Sequence, residues 1–411
     1  MAAVYRTEQH QFKKSDSSYR LLDDLCFKSK NLYNLCLYEQ RQTFFKYGTA
    51  IDYNRLYHTV KNSDDYKNMI SAAVGQSVIR QVATTFNSYF KAMKGYYKNP
   101  DRFLGRPQLP KYKHKEKGRN ILEFNNQVVK VKNGYIQFPK KLNGFTIKTK
   151  AESVEQVRII PKLGRIIVEV VYMKEIENVD TSNLKYAAGI DIGIDNFAAI
   201  SVWNNTSKPI IINGKGLKSY NKYFNKKLAH LKSEAATKNK LYSTHRIQRL
   251  QQKRNNYMQN FMHQASKKTV DYLIENGVKH LVIGNSKKWK QNSKLSKVTN
   301  QTFVQIPYAK YVQLLTYKAQ EHGILVYYTE ESFTSGTSFL DNEQPTSEFY
   351  NKSRRVHRGL FKSNIGIELN AEVNASYQIT KKVFSNLHLY PTPPPLVPQL
   401  HVLSFQVRED P

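Results

Sequence analysis

Residues 186–203, YAAGIDIGIDNFAAISVW, set two apolar runs back to back around Gly193 and leave two carboxylates, Asp191 and Asp195, at the turn between them. A carboxylate at the tip of a buried strand is costly unless it is paired, hydrogen-bonded or holding a metal. This hairpin therefore constrains the fold and the chemistry together. Three more apolar runs follow, PIII at 209–212, HLVIG at 280–284 and ILVYYT at 324–329. Between and after them the spacing predicts helices from 217 to about 276, at 307–323 and from about 370 to 384.

Three strands of antiparallel type followed by helix–strand alternation is the order of elements in an RNase H-like fold, so an α/β domain is expected over residues 181–390. Upstream the texture differs. Residues 2–13 read as a strand. Leu22, Leu25, Leu32 and Leu35 then recur at helical spacing until Gly48, and Ile70, Val74, Val78, Val82, Phe86 and Phe90 repeat every four residues. After the basic, proline-punctuated GRPQLPKYKHKEKGRN (105–120), six short β-like runs between 121 and 172 predict a small β-barrel. The opening strand would complete that barrel, giving a barrel domain at 1–14 and 115–180 with a helical recognition unit, 15–114, inserted in it. The tail at 391–411 opens with PTPPPLVPQL and is expected to be disordered.

Lys plus Arg number 64 against 32 Asp plus Glu, a formal charge of +32. Such an excess repels itself, and a polyanionic partner, nucleic acid first, is the economical explanation. The 28 Tyr and 20 Phe add stacking platforms for unpaired bases. Over 215–268 fourteen Lys or Arg face a single acid, Glu234, whereas a solvated helix face normally mixes signs. Candidate backbone contacts are Lys111, Lys113, Lys226, Lys227, Arg246, Arg249, Lys253, Arg254, Arg354 and Arg355. Trp289 fits stacking on a base and packing in a core equally. The two cysteines, Cys26 and Cys36, allow neither a disulfide framework nor a cysteine-ligated zinc site, which suits a reducing cytosol. No apolar run approaches the ~18 residues of a membrane span. A soluble, cytoplasmic, nucleoid-associated protein without a membrane partner is expected, and its oligomeric state is not legible.

GIDIGIDNFAAI, the basic helical tract after it, VIGNSKKWKQ (282–291), TEESFTSGTSFLD (329–341) and LNAEVNASYQI (369–379) together resemble the RuvC domain of TnpB proteins. These are encoded by insertion sequences, are often labelled transposases, and are relatives of the type V CRISPR effectors. GRPQLPKYK and the helical unit match that architecture, so the resemblance covers about residues 1–385. It implies an RNA-guided DNA endonuclease with a guide RNA and a target DNA as partners, and one RuvC site cutting with Mg²⁺, for which Mn²⁺ can substitute. The implied ligands are Asp191, Glu331 or Glu330, and Glu372, with Asp195 left as a turn residue.

Three departures bear on competence. Common members carry a Glu directly after the strand here written HLVIG, where this chain has Gly284. A subset of the family has a Glu-Glu pair at the end of the next strand instead, matched here by Glu330-Glu331. The third motif, Asn-Ala-Asp-Val-Asn in the family, reads Asn370-Ala371-Glu372-Val373-Asn374, which extends the carboxylate by roughly 1.5 Å. Mg²⁺ demands near-octahedral geometry, and a Glu just after an Asn cap would also serve the helix dipole alone. The family's zinc ribbon would fall at 333–365, but that segment has no cysteine and one histidine, His357, so it reads as a loop without zinc. Two rival functions stand beside the endonuclease. One is an RNA-guided DNA-binding protein whose nuclease has decayed, favoured by Gly284 and Glu372. The other is a RuvC-like resolvase without guide RNA, which leaves the first 180 residues unexplained.

Overall fold

A computed structural model of the chain describes residues 2–142, 144–176, 186–193, 195–203, 207–239, 241–284, 304–357, 359–386 and 401–403. The chain divides into two compact units, Tyr5–Lys174 and, with the first four residues, Glu175–Pro411.

In the first unit β1 (Ala2–Phe12) leads into α1 (Tyr19–Tyr47), α2 (Tyr53–Val60), α3 (Asp64–Lys67) and α4 (Ala72–Lys98). The apolar spacing places these helices. Leu22, Leu25 and Leu32 on α1 and Val74, Val78, Val82 and Phe86 on α4 are all buried in one core. Gly48 closes α1 at φ 69°, a left-handed conformation in which a Cβ is penalised. Six strands follow: β2 (Leu122–Asn125), β3 (Lys130–Lys132), β4 (Tyr135–Gln137), β5 (Thr146–Lys148), β6 (Gln156–Lys162) and β7 (Arg165–Ile176). Among the described residues these strands are not joined in one closed ring. They make a four-stranded sheet, β1-β7-β6-β2, and a separate three-stranded sheet, β3-β4-β5. Since β1 and β2 share a sheet, α1–α4 lie in the chain between two of its strands. Both cysteines sit in this core, and burial pushes each thiol up to about 12.

The second unit runs β8 (Ala187–Asp191), β9 (Asn196–Val202), β10 (Ile210–Asn213), α5 (Lys215–Asn239), α6 (His245–Glu275), β11 (His280–Gly284), α7 (Tyr308–Glu321), β12 (Leu325–Thr329), β13 (Leu360–Lys362), β14 (Glu368–Asn370), α8 (Ala371–Val383) and β15 (His401–Leu403). Its sheet has the order β12-β11-β8-β9-β10-β15. Strands β8, β9 and β10 pair antiparallel, while β11 pairs parallel with both β8 and β12. Numbering the first five strands in chain order gives 5-4-1-2-3, the arrangement of an RNase H-like sheet. One expectation is corrected here: residues 401–403, read as part of a disordered tail, form an edge strand parallel to β10. The apolar His401-Val402-Leu403 segment suits strand pairing even though the prolines before it do not; the rest of that tail lies outside the described residues.

The sheet is buried on both faces, and the two-residue strand period sorts its side chains. Ala188, Ile190, Ile200, Val202, Leu281 and Ile283 pack with α6 and α7. Ala199 and Ile211 pack on the other side with Val373 and Tyr377 of α8 and with Phe339 and Phe361. Among the described residues no helix is long and apolar enough to cross a membrane.

Candidate functional site

Asp191 is the last residue of β8. Strand alternation puts it on the same face as Ala187 and Gly189, toward α8. In the parallel register Ile190 pairs with Ile283, so the next step along both strands brings Gly284 beside Asp191. Gly284 in turn pairs with Thr329 at the end of β12, and Glu331 follows two residues on. A Cβ built on Gly284 would fall 2.8 Å from Glu331 Oε1 and 2.9 Å from its Cγ. The Glu331 side chain therefore occupies the space that any side chain at 284 would need.

Glu372 reaches the same place from the helical layer. The Asn370 side chain caps α8, its Oδ1 accepting from the N–H groups of Glu372 at 2.9 Å and Val373 at 3.2 Å, which fixes the backbone that carries the acid. The Glu372 carboxylate then extends to the β8–β9 turn, where Asn196 Nδ2 donates to Oε2. Oε1 would be 3.3 Å from a Cβ on Gly193.

This convergence has an electrostatic signature. Burial of its carboxyl group, then the neighbouring charges of Glu331 and Glu372, push Asp191 well above the usual carboxylate range, while Arg355 pulls the other way. A carboxyl group whose folded pKa is raised binds more protons folded than unfolded. Stability is thus present at low pH and lost as pH rises from the ordinary Asp value through the raised one. Asp191→Asn should raise the melting temperature at pH 7.5 in EDTA by a few degrees, at about 2–4 °C per kcal/mol for a unit of this size, and the gain should shrink toward pH 4. Thermal melts at the two pH values check this, and a pH-independent gain would point to packing instead of charge.

The adjacent acid, Glu330, goes elsewhere. It is exposed and ion-paired with Lys382, which with the Ser332 N–H holds its carboxyl below the usual range. Asp195 pairs with Lys218. Among the described residues no three His, Cys, Asp or Glu side chains stand close enough together to hold a metal ion as they are placed. The chemistry of the trio nonetheless fits a divalent cation. Asp191, Glu331 and Glu372 are hard oxygen donors, and a cation would relieve the charge strain on Asp191.

The basic candidates divide. On α5 and α6, Lys226, Lys227, Arg246, Arg249 and Lys253 are exposed, with Arg246 3.5 Å from Glu234. Arg355 and Lys111 are exposed as well. Arg254 also braces the unit from within: its Nε donates to Asn221 Oδ1 at 2.9 Å, its Nη2 to Gln305 O at 2.8 Å, and its guanidinium covers Phe224. Arg354 is paired with Glu343 at 2.5 and 2.7 Å and is largely buried. Lys113 is half-buried over the Tyr33 ring and borders a cavity of about 690 Å³ lined by Lys30, Asn34, Asp65, Tyr112, His114 and Lys115. Buried Lys30, whose Nζ donates to Lys115 O at 2.6 Å, was not singled out by the sequence. Nor was Asn196, for which a polar residue opening an apolar strand was the available signal. Trp289 lies outside the described residues.

The segment 333–365 is packed, not a bare loop. Thr337, Ser338, Phe339 and Glu343 are buried. Glu343 accepts from Ser338 N at 2.8 Å and from Arg354. Asn374, Gln378 and Lys381, along one face of α8, donate to Thr337 O at 2.7 Å, Glu343 O at 3.2 Å and Asn342 O at 2.7 Å.

Residues 162–290 match the model of a family of probable transposases, OrfB of the IS605 type, and residues 308–379 match the Cas12f1-like TNB domain. No curated protein matches the sequence. Similar solved structures include a Cas12f1–sgRNA–target DNA complex, 16% identical over 91% of this chain and 99% of that one, at a TM-score of 0.37. A CRISPR-Cas12f ternary complex is 14% identical over 88% and 80% of the two chains, at 0.38. Alicyclobacillus acidoterrestris C2c1 with single-guide RNA is 9% identical over 89% and 70%, at 0.39. TM-scores below 0.5 add nothing to the fold assignment, which rests on strand order. The first matched segment runs just past β11 and contains Asp191, and the second ends in α8 and contains Glu331 and Glu372; carrying both in sequence, the chain is consistent with the TnpB family.

Proposed function

We propose that the protein is an RNA-guided DNA endonuclease encoded by an insertion sequence, with Asp191, Glu331 and Glu372 as the acids that hold Mg²⁺. The observation that carries this reading is the Glu331 side chain lying over Gly284, beside Asp191. An acid missing from one strand end is matched by one supplied from the next, so Gly284 reads as half of an exchange and not as decay. When bound, the cation would neutralise charge on the scissile phosphate and lower the pKa of an attacking water. The chain's own part is to fix the acids on two strand ends and one capped helix. Guide RNA and target DNA would lie against the exposed cations of α5 and α6, where each neutralised phosphate steepens the salt dependence of binding. The nuclease-impaired reading keeps one observation in its favour, the longer acid at Glu372.

Asp191→Ala and Glu331→Gln should each lower Mg²⁺-dependent cleavage by about 10³-fold or more, equivalent to ~4 kcal/mol of barrier. Glu330→Gln should stay near normal, and guided DNA binding should change less than about twofold in all three. Cleavage time courses and binding isotherms on the RNA-loaded protein decide it. Targeted binding without cleavage by the natural protein, with Mg²⁺ or Mn²⁺, would establish the impaired binder. A preparation active on branched DNA but free of RNA would establish the resolvase.

A further inference from the structure

We infer that Asn196 is a positioning residue for the acid at 372, holding a carboxylate that is one methylene longer than its backbone site was shaped for. The inference rests on the cation reading of the acid cluster.

Both ends of this contact are fixed. On the helix side, the Asn370 cap pins the backbone of Glu372 through two hydrogen bonds. On the sheet side, Gly193, Asp195 and Phe197, around Asn196, are each tied down. Gly193 N donates to Phe197 O at 3.3 Å, and Tyr308 Oη donates to Gly193 O at 3.0 Å. Asp195 pairs with Lys218 and accepts from Gly214 N at 3.1 Å through its carbonyl. Phe197, the residue after Asn196, is buried, stacked on Tyr308 and set edge-on to Phe261. The amide of Asn196 is thus presented at a fixed point, and Glu372 is long enough to reach it.

The geometry also explains why this acid cannot swing freely. Its Oε2 is taken by Asn196, and its Oε1 lies where a Cβ at 193 would be 3.3 Å away, so glycine at that position leaves the carboxylate its room. An aspartate at 372 would retract by roughly 1.5 Å, one carbon–carbon bond, and lose the amide. Asn196 therefore matters only when the acid is long. An ordinary structural asparagine would matter equally with either acid.

That difference is the test. Natural protein, Asn196→Ala, Glu372→Asp and the double variant are loaded with RNA. Mn²⁺ affinity is then measured by calorimetry or by the paramagnetic signal of the free ion, with Asp191→Ala as the blank and melting temperatures alongside. In the natural background Asn196→Ala should weaken Asp191-dependent Mn²⁺ binding about tenfold, the scale of one hydrogen bond to a charged group. In the Glu372→Asp background the same substitution should change it less than about twofold. Equal loss in both backgrounds, or no loss in either, overturns the positioning role while leaving the cation site standing. Absence of any Asp191-dependent Mn²⁺ binding in the natural protein overturns the cation site and the inference together.

Discussion

Gly284→Glu, which restores the acid that common relatives carry, is expected to damage the protein. The new Cβ would meet Glu331 Oε1 and Ile379 Cδ1, each at 2.8 Å, and the side chain beyond it would add a fourth carboxylate to a cluster that already strains Asp191. Overpacking of this kind costs about 1–3 kcal/mol before any charge repulsion is counted. Cleavage should fall about 100-fold or more, and the melting temperature by several degrees. The double variant Gly284→Glu/Glu331→Ala empties the occupied space and returns the acid count to three, so it should recover most of both losses. Rates and melts for the two single variants and the double variant form a closed cycle. Full activity in Gly284→Glu alone would show that Glu331 does not hold that place.

Gly189→Ala is expected to destabilise the second unit far more than the analogous Gly284→Ala. A Cβ at 189 would lie inside the contact shells of Ser376 O and Thr380 Oγ1, with the Ser376 carbonyl carbon 3.0 Å away. These atoms cannot turn aside. Ser376 O already accepts from Thr380 Oγ1 at 3.2 Å within α8, and the Ser376 hydroxyl is bonded to Ser201 on β9 at 2.8 Å. To admit one methyl group α8 would have to lift from β8, taking Glu372 with it. A loss of about 3 kcal/mol or more follows, or roughly 6–12 °C in melting temperature. At Gly284 the obstructing atoms are the ends of flexible side chains, and the cost should be nearer 1 kcal/mol. Comparable melts for the two variants would contradict the close seating of α8 on β8.

The sheet of the second unit was legible because its strands are short apolar runs whose order admits few topologies, and α1 and α4 because their apolar spacing persists over many turns. Other features depend on partners distant in the chain. Arg254 and Arg354 have the same side chain as the exposed Arg246 and Arg249, and only the fold sets Asn221, Gln305 and Glu343 against them. Glu330 and Glu331 are chemically identical neighbours, separated by how the chain leaves β12, with Lys382 drawing the first outward. The division of β1–β7 into two ladders was not legible, because strand count can be read from turns and alternation, whereas pairing between distant strands depends on tilt and stagger. The edge strand at 401–403 was hidden by its proline-rich approach. Asn196 was passed over because its partner is 176 positions away in the chain.

The segment 333–365 is knitted to α8 by Glu343, Arg354, Asn374, Gln378 and Lys381, in a region where the family's pattern places thiolates around zinc. Such a joint assembles without a supply of zinc, and oxidants that strip thiolate centres find no target there. Its strength is set by ionic conditions and hydrogen bonding rather than by metal loading. A chelator added to this protein should therefore leave this joint intact, so emptying the proposed cation site and unfolding the chain become separable events.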